Sequence, residues 1–311
     1  MTSTPVPALH VALVGCGRWG SNILRDLKLL GVRVTVVARS EASRARAVAG
    51  AADAIVDAVE RVPVVDAFYV ATTISTHAGV VLALAGRGVP MFVEKPLCCR
   101  LADAEEIARV CGDRVFVLDK WRYHPGVEAL AEIATSGSLG RPVGLISRRI
   151  GWSIAHPDAS TLWALAPHDL AISLEIFGRV LPLRAAGGEH RSNLKAGFVA
   201  LLGDETAWHS IEVSDHSPMR SRLLRLICEG GVAELRDPLD AHIHLARIDG
   251  RPDCPHVEET RTISPEMPLM RNLRATLGYL HGGQSPMSGM ADAVLVIRRL
   301  AEIEIAAGLV R

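Results

Sequence analysis

The 311-residue sequence predicts a fold of the α/β class. Its first part reads as a doubly wound parallel sheet, and its second as an α+β domain on a largely antiparallel open sheet. Three observations predict this. Short β-branched runs alternate with helical patterns from His10 to Leu118, and a glycine triplet, Gly15, Gly17 and Gly20, directly follows the first run. After Asp119 the rhythm changes to clustered strand-like runs interrupted by one helix.

His10 to Val14 is the first strand, and the helix after it places Ile23, Leu24, Leu27 and Leu30 on one face, with Gly31 as its stop. Val32 to Ala38 is β-branched and forms the second strand, followed by an Ala- and Arg-rich helix from Glu41 to Gly50. Val64 to Thr72 reads as a third strand ending in the polar loop Thr72-Thr73-Ile74-Ser75-Thr76. Helix His77 to Gly86, strand Val89 to Val93, helix Leu101 to Val110 and strand Arg114 to Leu118 complete the alternation.

A domain boundary near residue 120 gives domains 1–120 and 121–311. The second opens with Trp121-Arg122-Tyr123-His124-Pro125, a helix to Ala134 and a turn over Gly137 to Gly140. Strands are expected at Val143–Ile150, Phe198–Leu202, His209–Val213, Leu223–Cys228, Val232–Leu235 and His242–Ala246, with a helix at Leu165–Phe177. A last helix, Met290 to Ala307, has one apolar face and is expected to pack back on the body of the molecule.

Composition narrows the function classes. The 34 Lys and Arg balance 34 Asp and Glu, which argues against a nucleic-acid or anionic-membrane partner. No apolar run reaches transmembrane length, and Met1 to His10 lacks a signal-peptide pattern, so a cytoplasmic location is expected. Cys16, Cys98, Cys99, Cys111, Cys228 and Cys254 form no C-x-x-C pair and are expected as free thiols. His156, His209, His216, His242, His244 and His256 show no spacing that demands a metal, so none is expected.

The glycine triplet gains meaning from its place between a strand and a helix. Gly15 permits a tight turn, Gly17 lets a pyrophosphate approach the backbone, and Gly20 lets helix and strand pack closely, with Arg18 and Trp19 in the same loop. The helix N-terminus then offers N–H groups and a favourable dipole to phosphates. This is the Rossmann pattern for a dinucleotide. An NAD site usually has Asp or Glu at the end of the second strand, to bind the adenosine ribose. Here Ala38-Arg39-Ser40 stands there, with Arg44 a helical turn beyond. Arginine suits a 2′-phosphate, so NADP(H) is favoured over NAD(H).

With that motif, Glu94-Lys95-Pro96 and Trp163-Ala164-Leu165-Ala166-Pro167-His168-Asp169 in view, the chain resembles the glucose–fructose oxidoreductase and inositol dehydrogenase family. Thr72-Thr73-Ile74-Ser75-Thr76-His77 with Glu94-Lys95-Pro96 looks like that family's nicotinamide-side loop and lysine strand. Tyr123-His124-Pro125, Ser138-Leu139-Gly140 and Ile211-Glu212-Val213-Ser214 look like its sugar-nucleotide dehydrogenase branch. The resemblance implies hydride transfer between nicotinamide and a carbon bearing hydroxyl or carbonyl, with Lys95 near the reacting oxygen. It also implies a cis Lys95–Pro96 peptide. A lysine at a strand's C-terminal end also lies where open α/β sheets bind ligands. Glu94 orients it or lines the cofactor pocket.

His168 is the second catalytic candidate, a proton relay to the substrate oxygen. The family pattern expects Asp one helical turn before this histidine, and this chain has Ala164. Either Lys95 and His168 suffice, or another carboxylate takes the role, or alcohol oxidation has given way to something less demanding. Asp169 is expected to support neighbouring backbone or substrate groups. Arg122, Tyr123, His124, Arg149 and Trp163 rank as weaker substrate residues, the arginines as holders of a phosphate or carboxylate.

The expected function is an NADP(H)-dependent oxidoreductase of a sugar, sugar nucleotide or related cyclic ketone. An imine (C=N) reductase and a non-catalytic dinucleotide-binding protein are the alternatives. The expected partner is a small-molecule substrate, and an open sheet invites a homodimer or homotetramer.

Overall fold

The computed structural model describes residues 9–152, 158–191, 194–248 and 257–308. His156, Cys254 and His256 lie outside them. In chain order the first part contains β1 (His10–Val14), α1 (Gly20–Leu29), β2 (Arg33–Val37), α2 (Glu41–Ala49), β3 (Ala54–Val56), β4 (Ala67–Val70), α3 (His77–Leu84), β5 (Met91–Glu94), α4 (Leu101–Cys111) and β6 (Val115–Leu118). The second adds α5 (Pro125–Ser136), β7 (Pro142–Trp152), α6 (Thr161–Phe177), β8 (Leu183–Arg191), β9 (Leu194–Gly203), β10 (Trp208–Ser214), β11 (His216–Cys228), β12 (Gly231–Leu235), β13 (His242–Arg247) and β14 (Val257–Thr262). Two helices follow, α7 (Pro268–Leu280) and α8 (Met290–Ala306).

The first sheet is parallel throughout, in the order β3-β2-β1-β4-β5-β6. The strand order reverses between β1 and β4, and ligands of open α/β sheets bind at the carboxyl ends beside such a reversal. Its strands are buried along almost their whole length, as expected where helices cover both faces. On α1, Ile23, Leu24 and Leu27 are fully buried, the apolar face that the sequence spacing marks.

The second sheet has the order β14-β13-β12-β11-β7-β10-β9-β8 and is antiparallel except for the β7–β10 pair. Helices α5 and α6 cover one of its faces. Val127, Leu130 and Ile133 of α5 and Ile172 and Ile176 of α6 share one core with Leu145, Leu224, Leu226 and Leu245 from the strands.

The chain divides into two compact units, Met1–Leu118 with Leu269–Val294 and Asp119–Pro268 with Leu295–Arg311. The sequence boundary near residue 120 places all later residues in the second part, whereas α7 packs within the first unit. Leu269, Leu273 and Leu277, one turn apart, enter its core. The Tyr69 hydroxyl, fully buried, is 2.7 Å from Thr276 Oγ1 of α7. Tyr69, Phe92, Phe116 and Tyr279 form a continuous aromatic row with centroids 4.9, 5.8 and 5.1 Å apart.

Several elements besides α7 differ from the sequence expectation. β3 is a three-residue strand, too short for periodicity to mark. β8 and β14, which the sequence leaves as loops, are the two edges of the second sheet. Gly187 and Gly188 in β8 and the polar run Val257-Glu258-Glu259-Thr260-Arg261-Thr262 in β14 mask them. Such composition is what protects an edge against pairing with another chain. α6 begins at Thr161, four residues before the expected Leu165. Pro167 lies in its second turn, so the helix forgoes one amide hydrogen bond there.

Cys16, Cys98, Cys99, Cys111 and Cys228 are free thiols. No helix among the described residues is long and apolar enough to cross a membrane.

Candidate active site

In the first unit, the glycine loop, the Thr72 loop and Lys95 follow β1, β4 and β5 and so stand at one edge of the sheet. Gly15 has φ +93°, and a Cβ there would lie 2.7 Å from the Ala71 carbonyl oxygen, so only glycine fits. A Cβ on Gly20 would lie 2.3 Å from the Gly15 carbonyl oxygen, which explains the close start of α1. Gly17 differs, since a Cβ there would meet nothing within 4 Å. Packing does not demand glycine at 17, and the open space beside its backbone leaves room for a ligand to approach. Trp19, the N-cap of α1, makes no side-chain cap, which leaves that helix end for an anion. These residues fit a dinucleotide pyrophosphate.

Trp19 and Glu94 are joined directly, the indole N–H donating to Glu94 Oε1. Glu94 is buried and therefore braces the glycine loop against the end of β5. His77 holds the other side. Its Nδ1 is 2.9 Å from the Pro96 carbonyl and its Nε2 3.2 Å from the Thr72 carbonyl, so the ring fastens the Thr72 loop to the segment after Lys95. Thr76 Oγ1 lies 2.8 Å from both Thr72 Oγ1 and the Thr73 carbonyl, which shapes that loop. Lys95 itself is partly buried, and the Lys95–Pro96 peptide is cis.

At the end of β2, Arg39 and Arg44 are exposed, and neither has a carboxylate partner among the described residues. Arg18 is exposed in the glycine loop. Ser40 caps α2, its Oγ accepting from the Ser43 amide at 3.2 Å. The hydroxyl keeps its proton for donation elsewhere.

In the second unit the sequence missed a residue. Asp119 Oδ1 lies 3.2 Å from His168 Nδ1, and both side chains are buried. A carboxylate only accepts, so Nδ1 carries the proton in this pair. A carboxylate from the residue after β6 thus lies beside His168, where position 164 offers none. The only signal available was an acid directly after a strand, and the 49 residues separating the pair hide the contact.

Asp169 is fully buried and takes both its oxygens to Arg149 Nε, at 2.8 and 2.9 Å. Burial pushes its carboxyl up, against the pull of Arg149 and the Ser147 hydroxyl. The Arg149 guanidinium stacks 3.8 Å from the Trp121 ring centroid. Trp121 in turn stacks on His124 at 4.8 Å and lies 6.2 Å from His168. Arg149 and Asp169 therefore build the wall of the His168 region.

The remaining sequence candidates separate. His124 caps α5: its Nδ1 accepts from the Gly126 amide at 3.0 Å and its Nε2 donates to the Pro238 carbonyl at 3.0 Å. With both nitrogens engaged, it serves the fold. Arg122 pairs with Glu175 at 2.5 Å. Tyr123 and Trp163 are buried.

His209 is fully buried behind this wall, its Nε2 2.8 Å from Ser147 Oγ. Ser147 donates to Asp169, so Nε2–H donates to Ser147, and Nδ1 has no partner among the described residues. Burial, and next the Arg149 charge, push this histidine down to about 3 from its ordinary 6.5. The unfolded chain then binds a proton first as pH falls. The contribution to stability is complete above about pH 6.5 and is lost as pH drops toward about 3. Unfolding free energy at pH 7 and pH 5 is expected to differ by up to about 2 kcal/mol less in His209→Gln than in the wild type. An unchanged difference would show that His209 does not titrate on unfolding.

Comparison with known proteins agrees with this geometry. Residues 9–117 match the model of an oxidoreductase family with an NAD-binding Rossmann fold. The chain is 29% identical to an inositol 2-dehydrogenase of Saccharopolyspora erythraea, over 60% of this chain and 59% of that protein. It is 27% identical to a D-apiose dehydrogenase of Paraburkholderia graminis, over 80% of this chain and 72% of that protein. The solved structure of a UDP-N-acetylglucosamine 3-dehydrogenase from Acidithiobacillus ferrooxidans has the same fold at 16% identity, with a TM-score of 0.84 and coverage of 98% of this chain and 100% of that one. The first part of the chain, residues 9–117, is thus similar to the Rossmann domain of this oxidoreductase family, and the whole chain has the fold of the solved dehydrogenase.

Proposed function

We propose that the chain is an NADP(H)-dependent oxidoreductase of a sugar, sugar nucleotide or related cyclic ketone or alcohol. The observation that carries this is the convergence of the glycine loop, the Thr72 loop and Lys95 at the carboxyl edge of the first sheet, beside its order reversal. A bound nicotinamide cofactor supplies or accepts the hydride. Lys95, held by the strand end, stabilises negative charge on the substrate oxygen. His168 exchanges the proton at Nε2, and Asp119 keeps Nδ1–H in place and steadies the imidazolium. The Asp119–His168 pair favours alcohol–ketone chemistry over imine reduction, since a protonated imine needs no such relay.

The preference for NADP(H) rests on the absence of an acid after β2 and on Arg39 and Arg44, which have no carboxylate partner among the described residues. A charge-assisted hydrogen bond is worth roughly 1.5–3 kcal/mol, or about 10- to 100-fold in affinity. Fluorescence titration should show NADPH binding tighter than NADH by about that factor, and Arg39→Asp should reverse or abolish it. Equal affinities in the wild type would contradict the assignment. The chain's association into a homodimer or homotetramer is part of the same proposal, supported by Trp152, Val199 and Leu201 exposed on the uncovered sheet face.

A further inference from the structure

Arg222 of β11 is the direct cross-strand partner of Arg149 on β7. Directly opposed residues share a sheet face, and like charges in such a pair are destabilising. That face is the one covered by α5 and α6, because Arg149 pairs with Asp169 of α6 and Leu224 and Leu226 of β11 enter the same core. Two arginines therefore share the sheet face on which Arg149 meets Trp121 and Asp169.

Asp169 accepts from Arg149 and from Ser147, and no carboxylate forms an ion pair with Arg222 among the described residues. Its Nη1 donates to the Ile150 carbonyl at 2.7 Å and to the Ser221 carbonyl at 3.1 Å. These bonds fix the guanidinium plane and leave the Nε and Nη2 edge of the fork for another acceptor. The pairing of β7 with β11 is irregular between His216 and Ser221, immediately before Arg222, and such irregularities re-aim side chains beside functional sites. A partly buried cation held in a fixed plane without an ion pair of its own gains from a ligand that supplies one.

We propose that Arg222 binds an anionic group of the substrate, so that the site takes an acidic sugar, with a carboxylate or phosphate opposite the guanidinium fork. This rests on the second unit being the substrate-binding unit of the proposed oxidoreductase.

The test is a calorimetric titration of the full chain with three probes, glucose, glucuronate and glucose 1-phosphate. At least one anion should bind about 10-fold or more tightly than glucose. Arg222→Gln should reduce that preference to within about 3-fold, and Arg222→Lys, which keeps the charge but loses the fork, should keep part of it. The stronger anion identifies carboxylate or phosphate as the group recognised. A purely structural role predicts instead a lower Tm in both variants with the anion preference intact. Equal or undetectable binding of all three probes by the wild type, or a preference that survives in Arg222→Gln, overturns the proposal. Binding is read without turnover, so a selective anion site with no hydride transfer would contradict the oxidoreductase and leave this site standing.

Discussion

Replacing Lys95 with Met is expected to lower kcat by about 10²–10⁴-fold while leaving cofactor affinity within a few-fold. Met keeps the length and apolar stem of lysine and removes only the ammonium. The glycines proposed to hold the dinucleotide, Gly15, Gly17 and Gly20, lie in the loop after β1, whereas Lys95 follows β5. Cofactor titration therefore serves as the folding control, and turnover is the readout. Near-normal turnover with intact cofactor binding would assign Lys95 to structure alone.

His168→Ala should lose at least about 10²-fold in kcat, because it removes the group that moves the proton. Asp119→Asn is the more informative change. Asparagine preserves shape but offers an amide in place of a carboxylate, so it neither fixes the Nδ1–H tautomer nor steadies the imidazolium. We expect kcat to fall by about 10–10³-fold with KM changed little, since the pair acts on the proton rather than on binding. Adding Ala164→Asp to Asp119→Asn places a carboxylate one helical turn before His168 and should recover part of the loss. Asp119 also accepts from the Trp121 amide at 3.2 Å, so a merely structural role predicts lower stability with no rescue from position 164. Unchanged kcat in both His168→Ala and Asp119→Asn would exclude the relay.

The first unit was legible because its signals are local. Strand, glycine turn and helix follow one another within the stretch from His10 to Leu29, and each periodicity is read over a few residues. The place of Lys95, directly after β5, was legible for the same reason. Edge strands β8 and β14 were not, since their solubility depends on the polar and glycine-rich composition that hides them. Helix α7 carried a readable signal in Pro268 and the one-turn spacing of Leu269, Leu273 and Leu277. His124 before Pro125 is likewise a helix-start signal, and the structure explains the residue as a cap. Asp119 and Arg222 could not be read. Each matters through a partner brought close only by tertiary pairing, Asp119 through His168 and Arg222 through Arg149.

Hydride transfer itself is tested most directly with NADPH deuterated at nicotinamide C4. The protein is incubated with a panel of keto sugars, keto uronates and keto sugar nucleotides, and the products are examined by mass spectrometry. Deuterium carried from the cofactor to a carbinol carbon of one product, with NADPH consumed in equal amount and no transfer in Lys95→Met, is the predicted result. No deuterated product from any member of the panel, by a protein that binds NADPH, would contradict it and leave a dinucleotide-binding protein without redox turnover.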